Sequence, residues 1–143
     1  MRIDLEYFGA LFAVFLDSEK AYIDFNDIQN SNVKVVVNDE LSDKFIFHLQ
    51  LAIDSQLIGR NSGVAYNLKD LGFIPMLDGS TSISIIPLRL TQRGHDFASS
   101  LNNKEVMDKL KTEFKDAPFK VVFEGGQKLL QHFMKKKLES IMD

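Results

Sequence analysis

The chain has 143 residues, 45% of them apolar and 26% charged, a balance that suits one domain with a moderate core. Its net charge is −3 and it has no Cys, which leaves out a disulfide framework, a thiolate zinc site and the basic stripe of a strong non-specific nucleic-acid binder. The longest apolar run, Tyr7 to Leu16, is about half of the roughly 20 residues a bilayer crossing needs, and Asp4 and Glu6 stand where a secretory signal would be basic. A soluble cytoplasmic protein is expected. The charge is uneven: residues 1–43 hold three basic and nine acidic groups, net −6, against +1 for residues 44–101 (five and four) and +2 for 102–143 (nine and seven).

Ile3 to Leu16 reads as a helix, with Asp4 and Glu6 favourable in its first turn. It is apolar almost all round, as a helix buried on several sides must be. Residues 21–40 are the least readable. Tyr22 to Ile28 is a strand or a short helix, and Val33 to Val37 is β-branched and strand-like, so a hairpin between them is expected. Asn38, Asp39 or Ser42 is placed to cap the next helix, residues 42–58. Ile46, Leu49, Ile53 and Leu57 form its apolar stripe, with Phe45 and Ala52 beside it, and Gly59 is expected to end it.

Strand-like pieces follow. Val64, Tyr66 and Leu68 alternate, and Phe73 to Leu77 meets Asp78-Gly79, a strong hairpin signal. The returning strand runs from Ser82. Ile83 and Ile85 alternate with serines, then Ile86, Leu88 and Leu90 continue after a slip of one residue. That slip, beside Pro87, predicts a bulge or an edge. Thr91 then caps a helix to about Leu101, and Gly94 in its first turn permits close approach to a neighbour. Asn102-Asn103 break it, and Lys104 to Lys115 resumes. Asp116 is expected to cap the last helix, with Pro118 near its first position. Gly125-Gly126 predicts a kink or a tight crossing there, and a short strand over Lys120 to Glu124 competes with the helix. Lys135 to Lys137 suit the helix C-terminus.

Three segments carry a resemblance: H-L-Q-L-A-I-D-S-Q-L-I (His48 to Ile58), R-L-T-Q-R-G-H-D-F (Arg89 to Phe97), and Leu129 to Leu138 with its K-K-K-L end. They resemble the domain-of-unknown-function 2513 family of bacterial and phage proteins, which has no established activity. The order of elements, with L-T-x-x-G leading into a helix, looks like a winged helix-turn-helix. The resemblance implies an α+β fold: a winged helix-turn-helix-like single domain, residues 1–101 with a β-hairpin wing, and a C-terminal helical extension over 102–143. DNA binding follows from it only by analogy of fold. The family-like Gly before Leu57-Ile58 is Gln56 here, so the end of that helix is expected to differ.

No phosphate-binding Gly loop, G-x-S-x-G or H-E-x-x-H is present, and His48, His95 and His132 lie far apart. No enzyme activity, catalytic residue, metal, cofactor or small-molecule ligand is therefore expected. Two readings stay open. A DNA-binding regulator would use Lys44, His48 and Gln50 on the outward face of the 42–58 helix, with Arg60, Lys69, Arg89 and Arg93 on phosphates. Asp54 on that face opposes phosphates, and the hairpin tip Asp78 to Thr81 lacks Lys and Arg. A protein-interaction module would instead use Phe47 and Leu51, off the main stripe, and the long final helix, for another protein or a homodimer.

Overall fold

A computed structural model describes all of residues 1–143. The fold is α+β: six α-helices and three small antiparallel sheets. No helix is long and apolar enough to cross a membrane.

Helix α1, Leu5–Leu16, starts where the Asp4 carboxylate accepts from the Tyr7 N–H at 3.0 Å. Its Phe8, Leu11 and Phe12 are buried. Residues 21–40 differ from the expected hairpin. Ile23 makes one antiparallel bridge to Leu88, and α2, Phe25–Gln29, follows at once. Asp24 and Asp27 form a reciprocal capping box that holds this single turn and a half. The hairpin is β1, Val36–Val37, against β2, Glu40–Leu41. Asn38 and Asp39 turn it with φ of 52° and 63°, the left-handed pair that a two-residue hairpin loop demands. They therefore turn the chain, and Ser42 alone caps α3, Asp43–Asp54, accepting from Phe45 N–H at 3.1 Å.

Helix α3 ends earlier than expected, and Gln56 ends it, not Gly59. Gln56 sits at φ 57°, its N–H donates to Ile53 O at 3.0 Å, and Leu57 N–H donates to Ala52 O at 2.8 Å. This is the Schellman pattern, with a non-glycine residue in the left-handed position. Leu57, the apolar residue just past the turn, is fully buried. We expect Gln56→Gly to raise stability by up to about 1 kcal/mol, because an L side chain is strained there. A chemical-denaturation midpoint that fell on this substitution would contradict the turn.

Ile58 and Gly59 then belong to β3, Ile58–Arg60. It pairs with β4, Gly63–Val64, on one side and with β7, Leu88–Leu90, on the other. After a short 3-10 helix over Leu68–Leu71 comes the hairpin of β5, Phe73–Pro75, and β6, Thr81–Ile83. Its Asp78-Gly79 tip is as expected, with Gly79 at φ 87°. The single strand expected from Ser82 to Leu90 is two strands in two sheets. Ser84 to Pro87 lies between them, where the periodicity slips, and Ile85 there is exposed.

Helix α4, Gln92–Asn102, begins at Thr91, whose hydroxyl oxygen accepts from Gly94 N–H at 2.9 Å. The same hydroxyl donates to Gln56 O at 2.6 Å, and Thr91 N–H donates to Leu57 O at 3.0 Å. The first turn of α4 is thus docked on the end of α3. Asn103 caps α5, Lys104–Glu113. Helix α6, Phe119–Met142, runs through Gly125-Gly126, so the competing strand over Lys120 to Glu124 is absent. Gly126 is buried, and a Cβ there would lie 3.4 Å from Ser100 Cβ, so the pair marks the expected tight crossing of α6 over α4. Asp116 does not cap α6; it takes φ 65° and pairs with Arg2 at 2.6 Å, while Pro118 occupies the N-cap position.

Two phenyl clusters make the core. Phe97 meets Phe8, Phe12, Phe119 and Phe123 at 5.3–5.8 Å between ring centres, joining α1, α4 and α6. Phe25, Phe45 and Phe73 meet at 5.4–6.1 Å, joining α2, α3 and β5. Such pairs each contribute roughly 0.5–1.5 kcal/mol beyond burial.

Candidate interaction surface

Helix α3 buries Phe45, His48, Leu49, Ala52 and Ile53. The buried stripe is rotated from the expected one, so Ile46 is only half-buried and His48 is inside. What faces solvent is Asp43, Lys44, Gln50 and Asp54, with Ile46, Phe47 and Leu51 half-exposed among them. Leu51 packs partly on the core. Phe47 stands edge-on to the His48 ring at 5.1 Å and reaches an open groove of about 980 Å³. That groove runs between the N-terminal segment and the start of α6, along Ile3, Leu5, Phe114 and Phe119. Its rim carboxylates Asp116 and Glu6 are paired with Arg2 and Lys111.

His48 corrects the expected outward placement: it is 0% exposed. Its Nε2 accepts from the Asp4 N–H at 2.9 Å, so its Nδ1 carries the proton and donates to Lys44 O at 2.7 Å. Burial pushes its pKa below the ordinary 6.5, against an upward pull from the Lys44 carbonyl and the Asp4 charge. It is a neutral peg that fixes the start of α1 on α3. Burial likewise pushes the Tyr7 phenol, at 4.9 Å from the His48 ring, up to about 12.

Lys44 is exposed but engaged. Its Nζ lies 2.7 Å from the Asp4 carboxylate and 5.0 Å from the centre of the Tyr7 ring. The hydrogen bond from Lys44 holds Asp4 below the usual carboxylate range. Gln50 alone of the three α3 candidates is exposed and without a side-chain partner.

The arginines are also partly used within the fold. Arg89 Nε donates to Arg60 O at 3.3 Å and its Nη1 to Leu90 O at 3.4 Å. Arg60 Nη1 donates to Asp70 O at 3.4 Å, while its buried Nε has no partner. Arg60 therefore lies beside exposed Lys69, whereas Arg89, opposite Gly59 in the β3–β7 register, points to the other face of that sheet. Arg93 sits at the C-terminal end of α3. Its Nε donates to Ser55 O at 3.1 Å, and its guanidinium stacks 3.9 Å from the Phe123 ring centre. A cation on the last carbonyls of α3 also suits the helix dipole. Lys44 lies at the opposite end of that helix.

The β5–β6 hairpin tip exposes Leu77 fully and Met76 by half. Beside them, the Ser80 hydroxyl holds the Asp78 carboxyl below its usual range. The tip is apolar and negative. No group of three or more His, Asp or Glu side chains is placed to hold a metal ion.

One further surface belongs to the long final helix, which the sequence offered as a contact for another protein or a homodimer. Leu138 and Ile141 continue the helical apolar face of α6, but the last half-buried residue of that helix is Phe133. Met134, Leu138, Ile141 and Met142 are 48–77% exposed. The signal available was the length of the stripe, which outruns any packing partner in the chain. Comparison of the chain with protein-family models, with curated proteins and with solved structures gives no match.

Proposed function

We propose that this chain is a non-enzymatic binding module of winged-helix type, related to the domain-of-unknown-function 2513 family, and that its α3 face engages protein. The element order supports the winged-helix reading: α1, a one-residue strand at Ile23, α2, α3, then β3 and β7 flanking a hairpin. The observation that supports protein contact is the outward face of α3. Asp43, Phe47, Gln50 and Asp54 line it, and Lys44, the one cation on that helix, is held by Asp4. Two carboxylates around a phenyl ring repel phosphates, on which duplex affinity largely rests.

A second reading, a DNA-binding regulator, is favoured by Arg60 lying beside exposed Lys69, with its Nη1 on Asp70 O. Fluorescence anisotropy with a random-sequence duplex separates the two across a salt series. Protein contact predicts no measurable binding even at about 50 mM salt. Micromolar binding there that weakens about a thousandfold by about 200 mM would establish phosphate contacts and replace the first reading with the second.

A further inference from the structure

Helix α6 is 24 residues long, about 36 Å, and its final part overhangs the body. From Met134 to Met142 every residue is exposed, a length of about 13 Å. Met134, Leu138 and Ile141 recur at helical spacing and share one face, flanked by Lys135 and Lys137. The four ion pairs of the chain all lie elsewhere, so Lys135, Lys136 and Lys137 are unpaired. A short helical end with no tertiary contact is marginal in water. This one offers a covering partner apolar contacts between lysines.

The opposite pattern stands on α3. Asp43 and Asp54 bracket Phe47 over about 16 Å, with Ile46 and Leu51 at the flanks and Asp39 and Glu40 in the preceding turn. None of these four carboxylates is in an ion pair either. The two faces are similar in length and apolar content and opposite in net charge, three lysines against Glu139 on α6 and four carboxylates on and before α3.

Resting on the protein-contact reading above, we propose that the partner is a second copy of this chain. The overhanging end of α6 in each copy lies along α3 of the other. A two-fold axis satisfies both faces of both copies at once and closes the assembly. Simple end-to-end pairing of the two α6 helices is disfavoured, because it sets one lysine row beside the other.

The test is molar mass by sedimentation or light scattering over a wide concentration range, with charge reversals on each face. Wild type is expected to dimerise, and to dissociate as salt rises. Lys135→Glu/Lys136→Glu/Lys137→Glu and Asp43→Lys/Asp54→Lys should each weaken the dimer at least about tenfold. The combined five-fold variant should regain it. Far-UV circular dichroism checks that each variant is folded, which the exposure of all five positions favours. A wild-type monomer at every concentration overturns the proposal, and if duplex DNA is also ignored, the protein-contact reading survives with another partner. Loss on the α6 reversal alone, or a combined variant that stays monomeric, overturns reciprocal pairing.

Discussion

Gly94→Ala is expected to destabilise the protein by about 3 kcal/mol or more, the upper range for forcing an extra methyl into packed structure. A Cβ at this position would sit 1.9 Å from Leu57 O and 2.8 Å from its carbonyl carbon. The obstruction is backbone, so no side chain can swing aside. The first turn of α4 would have to lift off the end of α3. With it would go the Thr91 N–H to Leu57 O bond and the Thr91 hydroxyl bond to Gln56 O. Gly79→Ala is the control. Nothing lies within 4 Å of a Cβ there, and only its φ of 87° resists, so it should cost roughly 1–2 kcal/mol. Urea denaturation compares them. A Gly94→Ala loss smaller than that of Gly79→Ala would mean that α4 does not dock on Leu57.

Replacing His48 with Phe should cost about 3 kcal/mol. The part-buried Asp4 N–H loses its acceptor, at roughly 1–3 kcal/mol, and the larger ring strains the α1–α3 contact. The native residue also sets an acid sensitivity. Its folded-state pKa is depressed, so the unfolded chain binds more protons below the ordinary 6.5. The stability it contributes is complete above that pH and is lost as pH falls from there through its folded-state value. The charges facing it are Asp4 and Lys44, already paired with each other, and the rings of Tyr7, Phe8 and Phe47 complete its surroundings. Asp4, with its own pKa lowered, adds a loss only at more acidic pH, below 3.8. Unfolding free energy measured between about pH 7 and pH 5 should therefore fall with acidity in the wild type. In His48→Gln, whose amide oxygen accepts but does not titrate, that slope should flatten. An equal slope in both proteins would remove His48 as its source.

The caps carried most of what could be read in advance. Thr91, Ser42 and the Asp78-Gly79 turn act on backbone groups within three residues, so local chemistry decides them. Helix α2 is too short for any periodicity, and its one local sign was the Asp24–Asp27 pair. Gly125-Gly126 left a kink, a tight crossing and a competing strand open, because propensity sees only the helix. Packing of Gly126 on Ser100 overrides it. At the surface, Phe47 and Leu51 were visible as residues off the stripe. The burial of His48 and the capture of Lys44 were not, because both depend on Asp4, about forty residues away in the chain. The long final helix was visible as a surface for a partner, but not which of its turns the chain itself covers, since that depends on where α1, α4 and α5 lie.

Phe8 and Phe12 find their partner ring on Phe97, about ninety residues later. At typical translation speeds of about 5–20 residues per second, α1 is made roughly 4–18 s before that ring. For that interval a nearly all-apolar segment has only α2 and α3 to bury against, and the long closure to α4 then slows the folding step itself. The α1 segment is where a holding chaperone would engage the nascent chain, and where crowding of unfinished copies would first cause aggregation.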